Sequence, residues 1–121
     1  MMAVRDFPPD FQSYVAREAF RCYGDLDPRH SVRLRRNVRR NFSVSLPEED
    51  AVRMTEHYTD MYAYAKRGLT QFIRPSTGEY AHSSDIRGEE FRAYIAAQYP
   101  AEPPYIVDML VAYAIYYEYL R

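Results

Sequence analysis

Apolar residues recur every three or four positions in five stretches of the chain, and each recurrence predicts a helix with one buried face. In the first stretch Phe11, Tyr14, Val15, Ala19, Cys22 and Tyr23 form the stripe, Asp6 or Asp10 stands where a cap belongs beside Pro8 and Pro9, and Gly24 is placed to stop the helix. Asp27 followed by Pro28 repeats the cap-then-proline pattern ahead of a second helix, which carries Leu34, Val38 and Phe42 on one side. After Pro47, the residues Ala51, Met54, Tyr58, Met61, Ala65 and Phe72 step by three and four, and the acids Glu48, Glu49 and Asp50 suit the positive end of a helix dipole. This third helix is expected to reach about Arg67, with Gly68 either ending it or letting a neighbouring helix approach closely. A fourth starts at Ser84 or Asp85, turns Phe91, Tyr94 and Ile95 inward and stops at Pro100. Pro103 and Pro104 open a fifth that runs through residues 105–120, apolar on nearly every side, as the central element of a bundle or an oligomer interface would be.

Two stretches break the helical period. Phe42, Val44 and Leu46 alternate with Ser43 and Ser45, which predicts a short extended piece ended by Pro47. Residues 74–84 read as a loop that turns at Pro75-Ser76-Thr77-Gly78, with Gln71–Arg74 and Glu79–His82 placed to pair as a small hairpin. The fold expected is therefore all-α, a compact bundle of four to five helices with room for one short strand or hairpin, in a single helical domain over 1–121.

Composition narrows the class. Apolar residues make up 47% of the chain and aromatic residues 16%, which excludes disorder as the main state. Tyr supplies thirteen of the rings and Trp none, so many core walls carry a hydroxyl that needs water or a partner. Cys22 is the one cysteine: it excludes an intramolecular disulfide and a four-cysteine zinc site, fits a reducing, cytoplasmic compartment, and on the apolar stripe of the first helix reads as an inert core thiol. The most apolar stretch, residues 105–120, is too short to span a bilayer and contains Asp108 and Glu118, and Met1–Gln12 lacks the apolar run of a signal peptide, so no membrane association is expected.

Charge is where the chain departs from what folding alone requires. The twelve residues from Arg29 to Arg40 hold six arginines and no acid. At about 100° per residue, Arg29, Arg33, Arg36 and Arg40 fall in one narrow arc, Arg35 and Arg39 lie beside it, and Leu34, Val38 and Phe42 take the opposite side. Nine arginines against five acids give residues 1–46 a charge of +4, and the net charge of −1 leaves −5 for residues 47–121. Lys66 is the only lysine, so the choice of arginine is partly a habit of the whole chain. Three readings fit the cluster: a solvated face neutralised by Glu48, Glu49, Asp50, Glu56 and Asp60; a phosphate-contacting face for DNA or RNA, with His30, Asn37 and Asn41 as sugar or base-edge partners; and a dock for an acidic protein surface.

The stretch Asn41-Phe-Ser-Val-Ser-Leu-Pro-Glu-Glu49 resembles the strand-to-helix entry of ribbon-helix-helix DNA-binding proteins. That resemblance covers under a tenth of the chain and implies Asn41, Ser43 and Ser45 facing a major groove, with Phe42, Val44 and Leu46 packed inward. The long helix after Pro47 and the 74–84 loop depart from the family's pattern, so the likeness stands as a variant of the nucleic-acid reading.

Other chemistry finds little support. Glu56, His57, Asp60, His82 and Asp85 lack the i, i+4 histidine pair of a zinc helix and the doubled Glu-x-x-His of a di-iron bundle, and four glycines leave no phosphate loop. Neither a metal nor a cofactor is expected. The sequence favours a small non-enzymatic intracellular binding protein, a regulator, inhibitor or adaptor, that recognises a protein or protein–nucleic-acid assembly through Arg29, Arg33, Arg35, Arg36, Arg39, Arg40, Asn37 and Asn41. Its alternatives are a direct DNA- or RNA-binding protein acting as a homodimer, with helix 105–120 as one dimer surface, and a small helical enzyme using His, Asp and Arg residues.

Overall fold

A buried seam on one side of each helix organises the structure, as the apolar spacing predicts. The computed structural model describes residues 8–21, 30–74 and 81–120, with the backbone alone at 30, 31 and 83. Among them the elements are α1 (Pro9–Arg21), α2 (His30–Phe42), α3 (Glu48–Leu69), α4 (Gly88–Gln98) and α5 (Pro104–Ile115). Short 3-10 turns at Thr70–Phe72 and Ser83–Asp85 and a terminal π turn at Tyr116–Leu120 complete the list. There is no strand among the described residues; the one β-bridge joins Ile73 and Ile86. The fold is all-α. Expectations that rest on Asp6, Cys22, Gly24, Asp27, Pro28 and the 75–80 turn fall outside the described residues.

The chain divides into two units, residues 1–60 and 61–121, with the division inside α3. In the first, Pro8 accepts the Gln12 N–H as α1 starts, and Phe11, Val15, Ala16, Ala19 and Phe20 are buried. Phe20 meets Tyr58 of α3 edge-on at 5.9 Å, and Phe11 and Tyr14 meet Phe42 of α2 edge-on at 5.6 and 5.5 Å. Leu34 and Val38 complete the α2 seam, each worth roughly 1.5–3 kcal/mol of burial. Thr59 is satisfied inside α3, its hydroxyl donating to the carbonyls of Thr55 and Glu56.

In the second unit, α3 runs through Gly68 to Leu69, two residues beyond the predicted end. The reason is packing: Gly68 is where Tyr94 of α4 lies against α3, and a Cβ there would overlap the Tyr94 ring. That ring is stacked on Tyr64 at 4.8 Å and tilted against Phe72 at 5.4 Å, and Tyr99 closes the cluster edge-on to Tyr64.

The structure departs from the sequence pattern at several points. Residues 43–47 are irregular rather than extended, because α2 continues to Phe42 and Ser43 then takes a left-handed φ of 54°; the ribbon of the ribbon-helix-helix resemblance is therefore absent. Ile73 pairs with Ile86, held by Arg74 N–H to the Asp85 carbonyl and Arg87 N–H to the Phe72 carbonyl, while the hairpin expected through Glu79 lies outside the described residues. Those same bonds keep 85–87 out of the helix, so α4 begins at Gly88 and Asp85 caps nothing there. Its buried carboxylate instead accepts the His82 N–H and the Tyr119 hydroxyl. Last, α5 is not buried all round: Ile106, Val107, Leu110 and Ala114 are covered, but Tyr105 and Tyr116 are exposed. Tyrosine raises the apolar count of the helix while its hydroxyl keeps an edge in water, so a tyrosine-rich face does not need covering.

The terminal turn is tied down by polar contacts. Glu118 accepts the Tyr62 hydroxyl at 3.1 Å and pairs with Lys66 at 3.4 Å, while Tyr119 reaches Asp85 at 2.6 Å. Arg92 and Asp108 link α4 to α5.

Two predictions follow from the tyrosine cluster. Alanine is a better helix former than glycine by about 1 kcal/mol, but overpacking typically costs about 1–3 kcal/mol, so Gly68→Ala should be less stable than the wild type by up to about 2 kcal/mol in urea unfolding. A gain in stability would mean that the Tyr94 ring is free to move aside. The hydrogen bond with Tyr94, aided by desolvation, pushes the Tyr64 phenol up to about 12. A raised value means that the folded state holds a proton the unfolded chain releases near pH 10. The stability this contributes is present below about pH 10 and lost as pH rises towards 12. Tyr64→Phe should flatten that alkaline decline, and phenolate absorbance should show one tyrosine fewer ionising at the high end.

Candidate functional site on the arginine helix

The arginine face follows from the packing of α2. With Leu34 and Val38 buried, at 2% and 0% exposure, the helical period turns Arg33, Arg36 and Arg40 to the other side, and Arg33, Arg35, Arg36, Arg39 and Arg40 are all exposed. Arg39 and Arg40 occupy the last turn, where the helix dipole favours positive charge. Arg29 lies outside the described residues.

The structure splits the predicted site into two flanks. On one, Arg35, Arg36 and Arg39 line a cleft of about 260 Å³ together with Ser45 and Leu46. The wall opposite the helix comes from the chain reversal: the Ser43 N–H makes the last helical bond, to the Arg39 carbonyl at 3.1 Å, and the left-handed Ser43 backbone turns Ser45 and Leu46 alongside α2. Arg35 Nε donates to the Leu46 carbonyl at 2.9 Å, which holds that guanidinium against the turn. Leu46, 3% exposed, anchors the turn in the core.

On the other flank Asn41 donates to the Asn37 carbonyl at 2.9 Å and to the Tyr14 hydroxyl of α1 at 3.4 Å. Helical spacing puts Asn41 roughly 160° around α2 from Arg39, so Asn37 and Asn41 do not join the cleft. Sequence reasoning missed the role of Ser45 and the Leu46 carbonyl as cleft wall, because only the turn at Ser43 brings them beside the arginines. The signal available was the polar Ser43 between a helical seam and a proline-led helix, a place where a left-handed residue ends many helices.

The acids that would neutralise this face are engaged elsewhere where their contacts are described. Asp50 pairs with Arg53 at 2.9 Å, and among the described residues no carboxylate pairs with Arg36, Arg39 or Arg40. His57 lies edge-on against Tyr58, and Asp85 is held by His82 and Tyr119. Among the described residues no three His, Cys, Asp or Glu side chains are grouped to hold a metal ion, and no helix is long and apolar enough to cross a membrane.

The turn that builds the cleft carries a stability test. A left-handed conformation costs a non-glycine residue roughly 1–2 kcal/mol, and glycine adopts it freely, so Ser43→Gly should raise the urea midpoint and Ser43→Val should lower it. The opposite order would mean that Ser43 is not left-handed. Comparisons with protein-family models, with characterised proteins and with solved structures return no match.

Proposed function

We propose that the chain is a non-enzymatic binding protein, a cytoplasmic regulator, inhibitor or adaptor, that docks an acidic protein or protein–nucleic-acid assembly against the arginine face of α2. The observation that carries this reading is the set of exposed guanidiniums on α2, with Arg33, Arg36 and Arg40 opposite its buried seam and Arg35 and Arg39 on the flank between them. Crowded like charges repel, and a solvated surface gives no reason to gather them. Planar guanidiniums pair bidentately with carboxylates and phosphates, so a partner rich in either gives such a reason.

A protein partner is favoured over a bare nucleic acid by two features. The side-chain amide of Asn41, one of the expected base-contacting groups, donates within the protein fold, to the Asn37 backbone carbonyl and the Tyr14 hydroxyl. The charge of −5 over residues 47–121 adds repulsion for any polyanion long enough to reach it.

The test is the triple variant Arg33→Glu, Arg36→Glu, Arg40→Glu, with a glutamate-rich peptide and a DNA duplex as probes. The wild type should bind the peptide with a shallow dependence on salt, and the variant should lose that binding while it stays folded, with no more than the roughly 0.3–1 kcal/mol that reversing the charge of Arg40 in the last turn costs, since these positions face away from Leu34 and Val38. A loss of stability of about 1 kcal/mol per residue with binding unchanged would assign the arginines to internal pairing instead. Tighter binding of the duplex, with the steep logarithmic salt dependence of counterion release, would favour the nucleic-acid alternative.

A further inference from the structure

We propose that the cleft between α2 and the 43–46 turn is a receptor for a single phosphate monoester carried on a peptide, with Arg35, Arg36, Arg39 and Ser45 as its ligands. This deepens the reading of α2 as a partner-binding face and rests on it.

Four observations lead there. Arg35 is held in advance: its Nε donates to the Leu46 carbonyl, so its terminal nitrogens can donate to an oxyanion without the full entropy loss of ordering a free arginine. Three guanidiniums and one hydroxyl line the same cleft. A phosphate monoester brings a charge between −1.5 and −2 and three acceptor oxygens near neutral pH, which matches that donor set better than the two oxygens and single charge of a carboxylate. Finally, the cleft, about 260 Å³ and open on one side, has room for one phosphoryl group.

The rim decides between a peptide and a nucleic acid. Val32 is 53% exposed, and the helical period sets it between Arg36 and Arg39; Val44, next to Ser45 on the facing turn, is 44% exposed. Two exposed valines flanking a cationic cleft suit the aliphatic side chains on either side of a phosphorylated residue. A sugar–phosphate backbone offers nothing for them, and it would need cations continuing beyond one cleft. Specificity then has two parts: the arginines and Ser45 read the phosphoryl group, and the valines read its neighbours.

The experiment compares degenerate peptides with a fixed phosphoserine, phosphothreonine or phosphotyrosine against the same peptides unphosphorylated or with glutamate at the fixed position. Binding is read by fluorescence anisotropy, with a DNA duplex and an RNA strand in parallel. At least one phosphorylated set should bind about tenfold or more tightly than its glutamate counterpart, and phenyl phosphate should displace it. Arg39→Gln should weaken binding about tenfold or more, the scale of one charge-assisted hydrogen bond, and Ser45→Ala severalfold, both with unchanged helicity and melting. In a nitrogen–proton spectrum the Arg35 Nε–H signal should shift on titration, a readout that does not depend on either variant. Equal binding of glutamate and phosphorylated peptides, unaffected by Arg39→Gln, would overturn the cleft while leaving the arginine face intact as an acidic dock. Preference for an oligonucleotide over every peptide would overturn the peptide assignment. Failure of all probes would overturn both the cleft and the broader reading of α2.

Discussion

In each unit one side of α3 must be kept from water, through Ala51, Met54 and Tyr58 in the first and Met61, Ala65 and Leu69 in the second, and the contacts that cover it place that unit's own elements. Phe20 brings α1 to Tyr58, and Tyr94 brings α4 to Gly68, where the missing Cβ permits contact. Glu118 brings the terminal turn to Tyr62 and Lys66. With α1 so placed, Phe11 and Tyr14 receive Phe42 and thereby orient α2. Once the seam of Leu34, Val38 and Phe42 faces inward, the arginines have no choice of side, because an unpaired guanidinium cannot be buried. The charged face is thus a consequence of core packing one helix away.

The helices were legible because each carries a period that only a helix satisfies and several carry a proline or a run of acids near one end. Pro9, Pro104, the acids at 48–50 and Pro100 each mark a limit that the structure respects within a few residues. The misreadings share a cause: each rested on a short pattern that a longer-range contact overrides. The alternation of Phe42, Val44 and Leu46 spans only five residues, and the first of them serves as the last residue of α2, packed on α1. Asp85 has the chemistry of a cap, yet the Ile73–Ile86 bridge and its flanking hydrogen bonds hold it outside α4 and leave its carboxylate to Tyr119, 34 positions away. No local window contains that partner. In α5 the apolar count overstates burial, because Tyr105 in the helix and Tyr116 just beyond it are exposed.

The candidate site divides along the same line. That α2 presents arginines opposite a seam is visible in the spacing of Arg33, Arg36 and Arg40 from Leu34 and Val38. Which of the polar residues act together is not, because it depends on hydrogen bonds that leave the helix: Asn41 to Tyr14 on one flank, Arg35 to Leu46 on the other. The resemblance of residues 41–49 to a ribbon-helix-helix entry fails at one backbone angle, since a left-handed Ser43 bends the segment back along α2 where a ribbon would extend. That bend exchanges a surface for reading a groove for a wall that closes a cleft.

The same geometry bears on how a chain of net charge −1 can recognise an anion. At physiological ionic strength the field of an exposed charge falls off over about 8 Å, so the excess of acid in residues 47–121 opposes a long polyanion that must pass near it far more than a small ligand seated between three guanidiniums. Contact hydrogen bonds act within about 3 Å and are screened little once water is displaced from the cleft. On the proposed reading, a local cluster in a nearly neutral chain would therefore select for compact charge over extended charge. Arg35 adds to that selection, because a guanidinium tethered through Nε can reorient only at the expense of its bond to Leu46, and the site stays shaped for one planar, forked contact even as Arg36 and Arg39 move.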